Sequence, residues 1–181
     1  CPFGAIQDKS FITDAIHMIM GAEHWGYKTY AVLAPSIVGQ FAPASYGQVV
    51  AGLKKLGFNG VAEVALGADM VADRESEELV EKGMLASSCC PAFVNLAKMH
   101  FPQIYENNMS TVVSPMMALA RKLKKDHPDH GVIFIGPCLA KKQEAMESFT
   151  AVDYVLTFEE VAAMMIAKHI NPAEVEAKEE D

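Results

Sequence analysis

The chain has 181 residues, of which 51% are hydrophobic and 21% charged, with a formal net charge of −8. That length supports one domain with a substantial core, and that composition is not the composition of a disordered polymer. The acidic balance argues against a general nucleic-acid binder, and no apolar run approaches the roughly 20 residues that a membrane-spanning helix needs.

In chain order, CPFGAI comes first: a Cys-Pro pair of the kind that closes a bacterial ferredoxin 4Fe–4S motif, here with one cysteine of such a motif present. Ile12, Ile16, Ile19 and Met20 then mark one apolar helix face. Tyr30–Leu33 reads as a strand, and Ala34-Pro35-Ser36 ends it. Ser36 either donates a hydrogen bond at the strand end or caps the next segment. Ser45 and Gln48 make a capping box, followed by Val49, Leu53 and Leu56 and a stop at Gly57.

A second strand is expected over Val61–Leu66, then a helix over Ala68–Lys82. On that helix Glu75 and Glu78 share a face with Lys82, either as a solvated acidic surface or as a row of exchangeable protons. Further helices are expected over Ala92–Phe101, Pro115–Asp126, Ala140–Glu147 and Glu159–His169, with strands at Val132–Ile135 and Tyr154–Leu156 and a weaker one at Met84–Ser87. The six histidines show no ligand spacing, and His127 and His130 read as loop residues. The tail AEVEAKEED reads as solvated. Alternating strands and helices predict an α/β fold with a largely parallel sheet of four to five strands and helices on both faces. No glycine-rich phosphate loop of the nucleotide-binding type is present, so that use of the pattern is disfavoured.

The cysteines stand at 1, 89, 90 and 138. Adjacent cysteines bridge each other only with strain, so a secreted disulfide framework is not expected, and a cytoplasmic protein is. Buried apolar thiols, a reactive thiol and metal ligands remain open. In SSCCPAF, Pro91 at a first helical position makes Cys90 the N-cap, where the helix dipole favours a thiolate. In GVIFIGPCLAKKQEA, Cys138 repeats that arrangement after a buried strand, and Lys141 one turn on either points a cation at the same crevice or lies on the surface.

Together these stretches resemble the catalytic domain of the FeFe (iron-only) hydrogenases. SSCCPAF is similar to the family's TSCCPGW motif and GPCLAKKQEA to its MPCxxKxxE motif; CPFGAI, VLAPSIVGQF and GADMVADRESEEL also have counterparts. The resemblance implies an H-cluster, a 4Fe–4S cubane joined through a cysteine sulfur to a di-iron subcluster carrying CO, cyanide and a bridging dithiolate. It implies that Cys90 and Cys138 ligate the cubane, and that Cys1 ligates a separate cluster at the end of a ferredoxin-like segment over residues 1–9. It makes Cys89 a proton carrier, with Glu75, Glu78 and Ser110 continuing the route outward. An ordinary thiol titrates near ~8.5, which keeps both proton states reachable. Pro35, Ser36, Phe93, Gly136, Pro137 and Lys141 would surround the di-iron unit. Dihydrogen and protons would be the substrates, and a ferredoxin-like carrier or domain the electron partner.

Two departures stand out: Gly136 where the family usually has Met, and Phe93 where it usually has Trp. The third cysteine motif, which supplies the remaining cubane ligands, does not occur. Residues 10–170 are therefore expected to be the first of two α/β lobes, with 171–181 an acidic tail, the second lobe missing, and this chain alone inactive. The alternative is a non-catalytic iron–sulfur relative, a hydrogen sensor or an assembly factor.

Overall fold

The apolar runs become strands, and each pairs parallel with its neighbours. A computed structural model describes residues 8–147 and 151–178. Its strands are β1 (Thr29–Leu33), β2 (Gly60–Glu63), β3 (Gly131–Ile135) and β4 (Tyr154–Leu156), in the spatial order β2-β1-β3-β4. Leu33 stands level with Glu63 on one side and Ile135 on the other, and Ile135 with Leu156, so the four carboxyl ends are flush. All of β3 is buried, and all of β1 except Tyr30, as expected of central strands covered on both faces.

Eight α-helices are found among the described residues: α1 (Ile12–Trp25), α2 (Tyr46–Leu56), α3 (Val64–Lys82), α4 (Pro91–His100), α5 (Pro102–Asn108), α6 (Pro115–Asp126), α7 (Ala140–Glu147) and α8 (Phe158–Ala167). Helices α1 and α2 each pack on α8, while α3 lies along α6. Gly67 permits that second contact, because a Cβ there would run into the backbone carbonyl of Pro115. The capping box of α2 forms as expected: Gln48 N–H donates to Ser45 Oγ at 3.3 Å and Ser45 N–H to Gln48 Oε1 at 2.9 Å.

The α/β class and the parallel sheet agree with the sequence reading, and the strand number settles at four. Three local expectations need correction. The run Val61–Leu66 is divided, its second half being the first turn of α3, because a short buried apolar run does not by itself distinguish strand from helix. Met84–Ser87 supplies a single bridge, Ala86 to Met109, rather than a strand. Residues 173–175 are docked rather than solvated: Gln48 Nε2 donates to the carbonyls of Ala173 (3.0 Å) and Val175 (3.2 Å), and Val175 is buried. Helix α5 was not expected at all.

At the amino ends of the strands, His127 and His130 stack with ring centroids 4.5 Å apart, and Tyr30 lies over His130 at 5.3 Å. His130 Nδ1 is buried without a hydrogen-bond partner. Burial holds its pKa below the ordinary histidine value, with His127, Lys28 and Lys124 acting in the same direction and Asp129 opposing. The unfolded chain therefore binds this proton more readily than the folded one. Stability should be full above pH about 6.5 and decline as pH falls through the window below it. Urea midpoints measured from pH 7.5 to 5 should show this slope, and His130→Gln should flatten it.

Candidate functional site

β1 leads to β2 on one side, and the chain later returns to lay β3 on the other. The order of the sheet therefore reverses between β1 and β3, and ligands of open α/β sheets collect outside the strand ends at such a point. A cleft of about 240 Å³ lies there. Ala34 and Pro35 line it from the end of β1, Phe134, Pro137 and Cys138 from the end of β3, and Cys89, Cys90 and Pro91 from the start of α4. Pro115 and Met116 of α6, Val64 of α3 and Lys141 of α7 complete the lining.

Local sequence explains why the thiols converge. Pro91 occupies the first position of α4, and Cys90 is its N-cap, with extended backbone and no side-chain capping bond. Its side chain therefore stands at the amino end of that helix. Cys138 follows the Gly136-Pro137 turn out of β3, and its carbonyl accepts from Lys141 N–H at 3.2 Å at the start of α7. Helices α4 and α7 pack together, which brings the two thiol-bearing turns to one cleft. Cys89, Cys90 and Cys138 are all free of disulfides.

Lys141 is not a surface lysine. Its side chain is 12% exposed, and Nζ donates to the Cys89 carbonyl at 3.0 Å and to Glu144 Oε2 at 2.7 Å. The acidic helix is exposed at Asp73, Glu77 and Glu81, but its Glu75–Glu78 edge is turned partly inward, with Lys82 3.8 Å from Glu78. Val71 is buried and Glu75 and Glu78 half-buried, so the two carboxylates continue the inward stripe of α3. Ser87 Oγ donates to Glu75 Oε1 at 2.8 Å and accepts from Cys89 N–H at 3.3 Å, linking that carboxylate to the cleft loop.

Glu78 is held separately. The backbone N–H of Thr111 donates to both its oxygens at 3.1 Å, and the Thr111 hydroxyl bonds Oε1. The Thr111 hydroxyl holds the Glu78 carboxyl below the usual carboxylate range, with Ser110 and Lys82 adding to the effect and burial opposing it. Ser110 is buried and accepts from Val112 N–H at 3.1 Å.

Of the residues read from the sequence, Cys89, Cys90, Cys138, Pro35, Pro137 and Lys141 thus meet at one cleft. Glu75 is one hydroxyl removed from the Cys89 backbone, and Glu78 and Ser110 form a second group. Ser36, in the turn Pro35–Ile37, and Phe93, 42% exposed, stand outside the lining, as does Gly136. Cys1 lies outside the described residues. Sequence reasoning missed Ser87, Thr111, Met116 and Phe134. The first two are hydroxyls that flank the acidic stripe in space only, and the others look like ordinary core residues.

Soft thiolate donors fit an iron–sulfur group in kind. In number they are incomplete: among the described residues no three His, Cys, Asp or Glu side chains converge as a metal site.

A parallel α/β lobe with a thiol cleft at its switch point is the class that fold and geometry define. The family model "Iron only hydrogenase large subunit, C-terminal domain" matches residues 27–181, and the chain belongs to that family. It is 27% identical over 208 residues to iron hydrogenase 1 of Clostridium pasteurianum, covering 99% of this chain and 36% of that protein. It is 25% identical over 202 residues to the NADP-reducing hydrogenase subunit HndD of Solidesulfovibrio fructosivorans (94% and 34%). It is 30% identical over 141 residues to a periplasmic Fe hydrogenase large subunit of Nitratidesulfovibrio vulgaris (66% and 33%). The chain spans about a third of the length of these relatives.

Proposed function

We propose that this chain is the first lobe of an iron-only hydrogenase catalytic domain, and that the whole protein interconverts dihydrogen with protons and electrons. One observation carries the reading: Cys89, Cys90, Cys138 and Lys141 converge on a single cleft at the strand ends. Residues 10–170 form the lobe, 1–9 end a ferredoxin-like segment in which Cys1 is a cluster ligand, and 171–181 are a tail.

An H-cluster bound between Cys90, Cys138 and a second lobe would supply the electron-transfer and hydrogen chemistry. The chain's own residues bind, orient and move protons. Cys90 and Cys138 are two of the cubane's thiolate ligands, and a second lobe supplies the rest. Lys141, fixed by Glu144 and the Cys89 carbonyl, presents a positive charge to the anionic ligands of the group, next to Pro35 and Pro137. Ser36, in the turn after β1, and Phe93, in the first turn of α4, do not line the cleft and would reach the bound group only in the presence of the second lobe. Cys89 would hold the proton at its thiol beside the bound group, and Glu75, Glu78 and Ser110 would continue the route outward. Unbridged thiols accord with a reducing cytoplasm. A ferredoxin-like carrier fits as electron partner, and the acidic surface fits no nucleic-acid role.

Iron analysis and infrared spectra of the full-length, maturated protein test this. CO and CN stretches together with a cubane are expected. A cubane without those bands would assign the protein to the non-catalytic iron–sulfur relatives instead, and absence of iron would remove both readings. The 181-residue chain treated alone with iron and sulfide should hold no stable stoichiometric cubane and show no turnover.

A further inference from the structure

Gly136 carries no side chain, which by itself would leave a hole beside the cleft. That hole is filled. A Cβ at Gly136 would lie 2.6 and 2.7 Å from Cε1 and Cζ of Phe134, and 3.1 Å from Cβ of Ala34. Contacts below 3.0 Å are essentially never made by real Cβ atoms, so a side chain at 136 and the Phe134 ring in its present place exclude each other. Gly136 is not among the glycines with positive φ, so what it contributes is room and not backbone freedom.

The geometry of the strand explains how a residue at 134 comes to fill this space. Position 136 directly follows the end of β3 and is two residues on from 134, so a side chain at either position stands on the same face of the extended chain. The backbone on either side is pinned: Ala34 N–H donates to Ile135 O at 2.9 Å, and Gly136 N–H to Leu156 O at 3.0 Å. The strand cannot shift aside, and only the ring can yield. Phe134 is 3% exposed and lines the cleft beside Pro137 and Cys138.

We propose that Phe134 is the wall residue of the thiol cleft, its ring standing in the volume that a side chain at 136 would otherwise take. Shape and polarity beside Cys138 are then set from position 134. The wall is hydrocarbon, with no sulfur or polar atom to offer the bound group, and it excludes water without acting as a ligand. The identity of that group rests on the iron-only hydrogenase reading; the wall itself does not.

The test uses the full-length protein with Phe134→Val, Gly136→Met, and the two combined. In the iron-free protein, Cys138 is alkylated with iodoacetamide or fluorescein maleimide and quantified by peptide mass mapping. Phe134→Val should raise the maleimide-to-iodoacetamide rate ratio severalfold, and adding Gly136→Met should return it towards wild type. Gly136→Met alone should lower soluble yield and thermal midpoint, and the pair should recover both, a non-additivity that separate packing defects would not give. In the loaded protein, Phe134→Val should shift the CO and CN bands. An unchanged rate ratio in Phe134→Val, or strict additivity of the two substitutions, overturns the proposal. If wild-type protein loads without CO and CN bands, the hydrogenase reading fails while the alkylation experiment still decides the role of Phe134.

Discussion

Replacing Lys142 by methionine is expected to destabilise the lobe by about 3 kcal/mol, the lower part of the range for breaking a buried ion pair from one side. The Lys142 side chain is 5% exposed. Its ammonium donates to Asp8 Oδ2 at 2.5 Å, to Lys9 O at 3.0 Å and to Glu160 Oε1 at 3.0 Å, so three protons meet three acceptors. Burial would lower its pKa, but its hydrogen bonds to the Asp8 and Glu160 carboxylates outweigh this and raise it. The group therefore stabilises the fold at every pH below the ordinary lysine range, and the contribution is lost only as pH rises through the elevated folded value.

Methionine keeps most of the apolar stem but strands the Glu160 carboxylate, which is 12% exposed. The loss stays at the low end because Asp8 is 34% exposed and can be rehydrated, and because Glu160 keeps hydrogen bonds from Thr157 N–H and the Ser10 hydroxyl. Urea unfolding of Lys142→Met measures the loss, and the double variant with Glu160→Gln should recover part of it. A Lys142→Met protein as stable as wild type would mean that the three contacts contribute nothing net.

That network joins the amino-terminal segment, α7 and α8, and nothing in AKKQEA marks Lys142 as buried beside the Lys141 that the cysteine motif singles out. Both lysines prove to be mostly buried and paired, yet depth and partners come largely from elements far apart in sequence. The same limit governs the rest of the site. Pro91 after Cys90 and the strand-turn-helix around Cys138 are local signals, and both thiols were legible from sequence together with the parallel sheet. Ser87 and Thr111 were not, because a hydroxyl carries no periodicity and gains meaning only from the carboxylate opposite it. Glu75 and Glu78 were visible as a pair, but their inward orientation depends on which face of α3 meets α6, and Gly67 decides that through a contact with Pro115. Phe134 looked like one more residue of a buried strand. Its role follows from the missing side chain at 136, and a compensation of that kind emerges only when both are placed in space.

The substitution with the largest expected effect on turnover is Cys89→Ser. The two adjacent cysteines differ in surroundings. Cys90 caps α4, whereas the Cys89 backbone is held on both sides, its N–H on Ser87 and its carbonyl on Lys141. These bonds fix the peptide of a residue that lines the cleft. A serine in that fixed backbone occupies nearly the same volume but gives up its proton far less readily. If Cys89 delivers the proton, turnover of the full-length, cluster-loaded protein should fall by about 10²–10⁴-fold, the usual worth of a positioned acid–base group. Iron content and the infrared bands should be unchanged. Cys90→Ser should do the reverse, losing iron along with activity, since a hydroxyl is a poor substitute for a thiolate on iron. Glu75→Gln keeps a bond to Ser87 but cannot accept the proton, so it should slow turnover with the cluster intact. Full activity in Cys89→Ser would remove the thiol from the proton route and leave the Ser87–Glu75 link as packing alone. Loss of iron in Cys89→Ser would instead make Cys89 a ligand, and the division of labour between the adjacent thiols would have to be reversed.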